Sequence, residues 1–405
     1  MIGGNRSTIG SIRAMRAAGF EVVVAEKLPR QYALAEADIG LEIAPSDVCG
    51  LSDAIRSLGG VSGVIGINEA AMSSAAQLQQ SFGLIGLPSD VIRRTGSKLA
   101  QRQCWAVDPD LSVPYKTVEM SADVPAAIAA VGGLPIIIKP DLSHGGSRGV
   151  SLVNAVEGID VAVAFARDHA LPGSQIIVER ALPGPQFSAE LLVKDAKTHV
   201  LAIGRKVKSA APSRVDLAIA YPGVTDATTL AAIETMSSKA TSLLGITRGP
   251  GHFEFVLTED GPRPIELSAR CGGSITPDLA AHVSGYHPMV EAARLACDLA
   301  VEDWPTPARR GAVLMFIGFP PCKVRKLHVP EHLAKNPNVI DFDYSLPIDG
   351  IIQPIRWTSQ RTGYIGVVAE DGRTALTLAH ELAATIRAET AHGEFCMPLM
   401  IDSDT

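Results

Sequence analysis

Residues 251–270 read GHFEFVLTEDGPRPIELSAR. His252, Glu254 and Val256 alternate with Phe253, Phe255 and Leu257, which is the two-residue period of a strand. Glu266, Ser268 and Arg270 alternate with Leu267 and Ala269 in the same way. Between the runs, Glu259-Asp260-Gly261 fits a three-residue hairpin loop with glycine at the left-handed position. Centring the hairpin on Asp260 sets Glu254 opposite Glu266 on one face, unless a bulge slips the pairing by one. Like charges opposed across two strands repel. A divalent cation such as Mg²⁺ reverses that sign, since carboxylates are its natural ligands. The alternative is a pair of solvated glutamates on an exposed hairpin face. Other stretches must decide between the two.

The composition narrows the field. A chain of 405 residues, 46% hydrophobic and 20% charged, is long enough for two or three domains with substantial cores. The net charge of −7 argues against a nucleic-acid backbone as partner. Aromatics at 5% leave few platforms for stacking on bases. Six scattered cysteines without a CxxC pair argue against structural zinc and a disulfide scaffold, and fit a reducing cytoplasm. No run of 18 apolar residues offers a membrane span, and the N-terminal residues lack a signal architecture.

Along the chain, the first 97 residues alternate helix and strand signals. A helix stopped by Gly19 precedes a strand at 21–25, VSGVIGI and FGLIGLP read as strands, and NEAAMSSAAQLQQSF reads as a helix. The opening GGNRSTIG looks like the turn after a first strand that is either very short or begins upstream; as a relative of GxGxxG it is weak. A composition shift at 96–115 marks a boundary. EDWPTPARRGA, 302–312, reads as a proline-rich linker. Strands AVLMFIGF and GYIGVVAE and the helix RTALTLAHELAATIRAE follow it.

Two further stretches carry chemistry. In GLPIIIKPDLSHGGSRGVSLV, 133–153, a buried-type strand ends in Lys139 and runs into a glycine-rich loop. Buried lysines are rare unless paired, and a lysine beside bare amides suits a polyphosphate. A surface lysine beside a flexible loop is the alternative. In SQIIVERALPGPQFSAELLV, 174–193, Glu179 ends one strand and a short connector leads into the next, which carries Glu190. Such a connector can offer backbone groups to an adenine edge, with Glu179 accepting from the amino group.

Together these stretches, in this order and spacing, resemble the ATP-grasp superfamily over roughly residues 1–300. Glu254, Glu266, Ser268 and Arg270 follow its E…E-x-N-x-R metal motif. The resemblance implies a mixed α/β (α+β) fold with three parts: an N-terminal α/β domain over 1–97, an ATP-grasp domain over 98–305 with a lid at about 112–180, and a C-terminal domain over 306–405. It implies ATP as co-substrate and Mg²⁺ or Mn²⁺ held by Glu254, Glu266 and Ser268, the serine replacing the usual asparagine. Lys98 and Lys139 would contact phosphates, and His144, Gly145, Gly146 and Ser147 would close over the γ-phosphate. Glu179, Arg180 and Leu182 would hold adenine, with Val256 packed against it. Gln186 stands where many relatives carry a ribose-binding acid. Arg270 would act in catalysis and hold the acid substrate, with the Gly272 and Gly273 amides as helpers and His252 as a substrate contact or a structural histidine.

GPGHFEF, the RCGG segment and the looser similarity of the tail from 311 to 390 look most like the L-amino-acid ligases. That implies a cytoplasmic ligase joining a small carboxylate to an amine through an acyl phosphate, with a homodimer left open. Purine-pathway or biotin-carboxylase-like chemistry, or a catalytically silent ATP-binding module, are the alternatives.

Overall fold

The computed structural model describes residues 1–27, 31–301, 310–347 and 350–399. Its backbone is an eight-stranded antiparallel sheet. In spatial order the strands are Gly261–Ser268, Gly249–Thr258, Gln186–Lys194, Lys197–Lys208, Asp216–Tyr221, Gly311–Ile317, Gly363–Ala369 and Val339–Tyr344.

The alternation in 251–257 is realised in full. Phe253 and Phe255 are completely buried, while His252 and Glu254 lie half-buried on the opposite face. Under the apolar face runs the helix Ala227–Leu244, capped by Asp226, whose side chain accepts from Thr229 N–H at 2.8 Å, and stopped by left-handed Gly245. Its Ile233, Met236, Ala240 and Leu244 share a core with Trp105, Phe253, Phe255 and Leu267.

The hairpin differs from expectation in its turn. Thr258 pairs with Gly261, so the loop is two residues, Glu259 and Asp260, and Gly261 takes φ +104° as the first residue of the returning strand. A loop shorter by one would slip the register by one. A bulge between Glu254 and Phe255 takes up that residue: Phe255 pairs with Pro264, yet Glu254 still faces Glu266 and His252 faces Ser268.

A second, four-stranded antiparallel sheet occupies the stretch expected to be the lid: Tyr115–Val118, Ile176–Arg180, Ile136–Pro140 and Ser151–Val153, backed by the helices Val124–Ala130 and Ile159–Asp168 around their own core. In the N-terminal part, Val23–Ala25 runs parallel to Ile39–Leu41, and Ile2 bridges both Ala25 and Gly66. The helix Glu69–Phe82 lies where NEAAMSSAAQLQQSF placed it. The expected strand VSGVIGI pairs at Gly66 alone, where a Cβ would meet the Ala71 backbone.

Most of the linker 302–312, with the boundary expected at 305/306, lies outside the described residues. On its far side Gly311–Ile317 pairs directly with Asp216–Tyr221, Val313 opposite Ala220. One sheet therefore runs through the central and C-terminal parts of the chain without a break.

Because Phe253 fills the centre of this core, Phe253→Ala should destabilise the protein by about 3–5 kcal/mol. Chemical denaturation checks it, as a lowered unfolding midpoint.

Candidate active site

Between the sheet and the lid lies a cavity of about 530 Å³. Lys98, Lys139, Gly145, Gly146, Ser147, Glu179, Arg180, Leu182, Gln186, His252, Glu254, Val256, Glu266, Ser268 and Arg270 all line it. His144, Gly272 and Gly273 do not. His144 is exposed.

On the sheet side, Glu254 is the centre of a charged network. Lys206 Nζ sits 2.5 Å from its Oε1, and Gln186 Nε2 donates to Oε2 at 2.8 Å. Lys206 also pairs with Asp216 at 3.2 Å, and Lys208 pairs with Asp216 at 2.7 Å. Burial works against the Glu254 charge, but Lys206, His252 and Lys208 outweigh it and hold the carboxyl well below its ordinary range. Burial likewise opposes the Lys206 ammonium, and Asp216 with Glu254 raises its pKa nonetheless. Glu266 is less tied: its ion pair is with Lys98, at 3.7 Å. Among the described residues no group of three or more His, Cys, Asp or Glu is placed to hold a metal ion.

His252 lines the cavity and is tied to two of the protein's own acids. Its Nδ1 lies 2.6 Å from Oε1 of the buried Glu190, and its Nε2 is 3.6 Å from Glu254. Burial opposes its charge, but Glu190 and Glu254 raise its pKa to about 9. Glu190 Oε2 also accepts the Gly272 N–H at 2.9 Å. The amide expected as a helper is thus engaged by Glu190. A Cβ on Gly272 would run into Glu190, Thr276 and His252, so the glycine serves close packing. Gly273 is exposed, its carbonyl accepting from Thr276 Oγ1 at 2.9 Å.

On the lid side, Lys139 is buried and donates to Glu179 Oε1 at 2.6 Å, while Arg102 Nε donates to Oε2 at 3.0 Å. Both oxygens of Glu179 thus carry a cation, so an amino group would be an additional donor to it. Burial pushes the Lys139 pKa down to about 8, with Glu179 only partly restoring it. In the connector, Arg180 N–H and Ala181 N–H are bonded to Pro114 and Pro135 carbonyls at 3.0 and 3.1 Å. Gly145, Gly146, Ser147 and Gly149 of the loop all have positive φ, a backbone that only glycine adopts freely.

Arg270 points into the cleft, where its Nε donates to Glu69 Oε1 at 2.9 Å and its Nη2 reaches the same oxygen. Ser268 Oγ donates to that oxygen at 3.3 Å. Glu69, Lys208 and Asp216 line the cavity and Lys206 borders it, and the sequence reading assigned none of them a role. Signals existed. Lys206 and Lys208 alternate on one strand, and Asn68 caps the helix that Glu69 begins.

Residues 132–278 match the family model of the ATP-grasp domain. The fold is that of the ATP-grasp proteins. Residues 315–391 match that of the L-amino acid ligase C-terminal domain 2. An L-amino acid ligase from Bacillus licheniformis shares the ATP-grasp architecture, with a TM-score of 0.79 and 22% identity over 95% of this chain and 96% of that one. A phosphoribosylglycinamide synthetase from Anaerococcus prevotii gives a TM-score of 0.70 and 15% identity over 95% and 97%. At such identities the likeness is one of fold. In sequence, the chain is 28% identical over 289 residues to uncharacterized protein y4rH of Sinorhizobium fredii, covering 68% of this chain and 57% of that one. It is 30% identical over 155 residues to a D-alanine–D-alanine ligase of Mycobacterium avium, covering 35% and 40%. The chain thus spans about half the length of the curated relatives it matches. No helix among the described residues is long and apolar enough to cross a membrane.

The His252–Glu190 pair gives a pH signature. With a folded pKa of about 9, above the ordinary 6.5, the stabilisation is fully present below about pH 6.5 and is lost as pH rises through 9. His252→Gln should therefore cost about 2 kcal/mol near pH 6, and the gap to the parent should close above pH 9. Unfolding midpoints of both proteins across that range check it.

Proposed function

We propose that this chain is an ATP-dependent carboxylate–amine ligase, acting on amino acids and forming an amide bond through an acyl phosphate. The observation that carries the reading is Glu254 facing Glu266 across the hairpin, over a cavity shared with Lys98, Lys139, the glycine loop and Arg270.

The donor set fits a hard divalent cation. Two carboxylates stand opposed with the Ser268 hydroxyl beside them, all oxygen donors, and Mg²⁺ takes one or two carboxylates and completes its shell with phosphate oxygens and water. Glu254 and Glu266, with Ser268 as a third donor, would hold it; Mn²⁺ suits the same set. When bound, the cation neutralises phosphate charge.

The rest follows from charge. A carboxylate resists attack by an amine until one of its oxygens becomes a leaving group, and transfer of the ATP γ-phosphoryl group supplies that. Lys98 and Lys139 would hold the phosphates, the 180–182 backbone the adenine edge, and Val256 the ring face. The acyl carbon is then attacked by the amine, phosphate leaves, and an amide remains. Arg270 would hold the acid substrate and stabilise the oxygens on which charge develops. Beside it Glu69 offers a negative charge, so the pair presents to an amino acid the complement of its own carboxylate and ammonium.

The test is phosphate release with ATP and Mg²⁺, using amino acids singly and in pairs, with product masses measured. Release with amino acids and a product lighter than the pair by one water supports the reading. Release with bicarbonate alone moves the chain to carboxylating chemistry, and ATP binding without release under any carboxylate makes it a silent module. On the proposed reading, Glu266→Gln should reduce turnover by at least about a hundredfold with the fold intact, since it removes a charge the cation needs at constant volume. Near-parental turnover at saturating Mg²⁺ would overturn the metal role.

A further inference from the structure

The glycine loop is held from two sides, and the outer hold comes from the C-terminal part of the chain. On the inner side Ser147 Oγ donates to the Arg214 carbonyl at 3.2 Å. On the outer side the 356–360 turn meets it: Thr358 N–H donates to the Gly146 carbonyl at 3.0 Å, and Arg148 Nη2 donates to Ser359 Oγ at 3.0 Å. Thr358 lines the cavity, and its hydroxyl lies where a Cβ on Gly146 would stand.

The same turn grips the lid helix Ile159–Asp168. Trp357 packs on His169 and Phe165, with ring centroids 5.0 and 6.1 Å apart, and the Arg356 guanidinium lies 4.2 Å over the Phe165 ring. The turn is itself braced: Gln360 Oε1 accepts the Arg356 N–H at 2.7 Å, and the Trp357 indole N–H donates to Ser359 Oγ at 2.9 Å. A loop with three glycines among residues 145–149 has much backbone freedom to lose on ordering. Contacts that order it from outside therefore decide how often it stands closed.

We propose that the 356–360 turn is a latch that positions the glycine loop over the cavity, with Trp357 as its anchor and Thr358 as its tip. The C-terminal part of the chain then sets how completely water is kept from the reacting phosphate. This last consequence rests on the ligase reading; the latch itself does not.

The experiment uses the full chain and two variants, Trp357→Ala and Trp357→Phe. Hydrogen exchange in the ligand-free protein should speed up by about threefold to tenfold at amides 145–149 in Trp357→Ala. It should fall back toward the parent in Trp357→Phe, which keeps an aromatic ring against Phe165 and His169. Amides of the strand Gly249–Thr258 should not change. Unchanged exchange at 145–149, or equal acceleration in that strand, overturns the latch. With a ligatable pair of substrates, Trp357→Ala should also release several-fold more phosphate per amide formed, as intermediate is lost to water. An unchanged ratio alongside faster loop exchange overturns the water-exclusion role. If no pair is ligated, the ligase reading fails and the exchange measurements still decide the latch.

Discussion

The buried triad of Lys139, Glu179 and Arg102 ties together three elements that are far apart in sequence. Lys139 and Glu179 lie on neighbouring strands of the lid, and Arg102 on the helix Lys98–Trp105. Arg102 also donates from Nη2 to the Ile265 carbonyl at 2.9 Å, on the strand that presents Glu266. Burying three charges is costly, and losing one partner of such a set costs about 3–5 kcal/mol because the others are left uncompensated. The position of the lid sheet over the glutamate hairpin is thus fixed by a few charge-assisted bonds. The triad also carries a net positive charge in a dry place. Burial, with repulsion from Arg102 adding to it, holds Lys139 near pKa 8, and a polyanion in the cavity would favour its charged form.

The opposite wall is neutralised differently. Glu254 is balanced by Lys206 and His252, Asp216 by Lys206 and Lys208, and Glu69 by Arg270. Each anion that a ligand or cation would need is already paired within the protein. Binding there is an exchange of partners, so its net energy is a difference between two paired states. Glu266 is the exception in degree, with Lys98 at 3.7 Å and an ordinary hydrogen-bond distance left unfilled. This makes it the carboxylate most available to a newcomer, and it explains why the paired-glutamate register matters: a slip of one would turn Glu266 to the apolar face and Leu267 to the cavity.

Much of this was legible in the sequence, because period and order are local properties. The alternation of 251–257, the glutamate pairing, the buried lysine at a strand end and the helix at 69–82 can be read within a dozen residues. The turn length could not, since two-residue and three-residue loops differ by a bulge five residues away. What escaped were partners across long separations. Lys206 faces Glu254 only because Gln186–Lys194 lies between their strands, and Glu69 meets Arg270 across 201 residues. The Gly272 amide went to Glu190, 82 residues distant, for the same reason. The two lysines in GRKVK and the capped Asn68-Glu69 pair were the signals in hand. Neither says which site its residues face until the sheet order is known.

The sheet order also changes how the C-terminal part should be regarded. A proline-rich stretch suggests an appendage on a linker. Yet Gly311–Ile317 extends the sheet that carries Glu254, and Arg361, two residues from that strand's neighbour, donates to the Asp216 carbonyl at 3.0 Å while stacking on Phe316. Asp216 is the acid that positions Lys206 and Lys208. The C-terminal part therefore touches the site twice, once through the sheet beneath the charged wall and once through the turn over the glycine loop. A change in its packing reaches floor and roof together, which a domain hung on a flexible linker could not do.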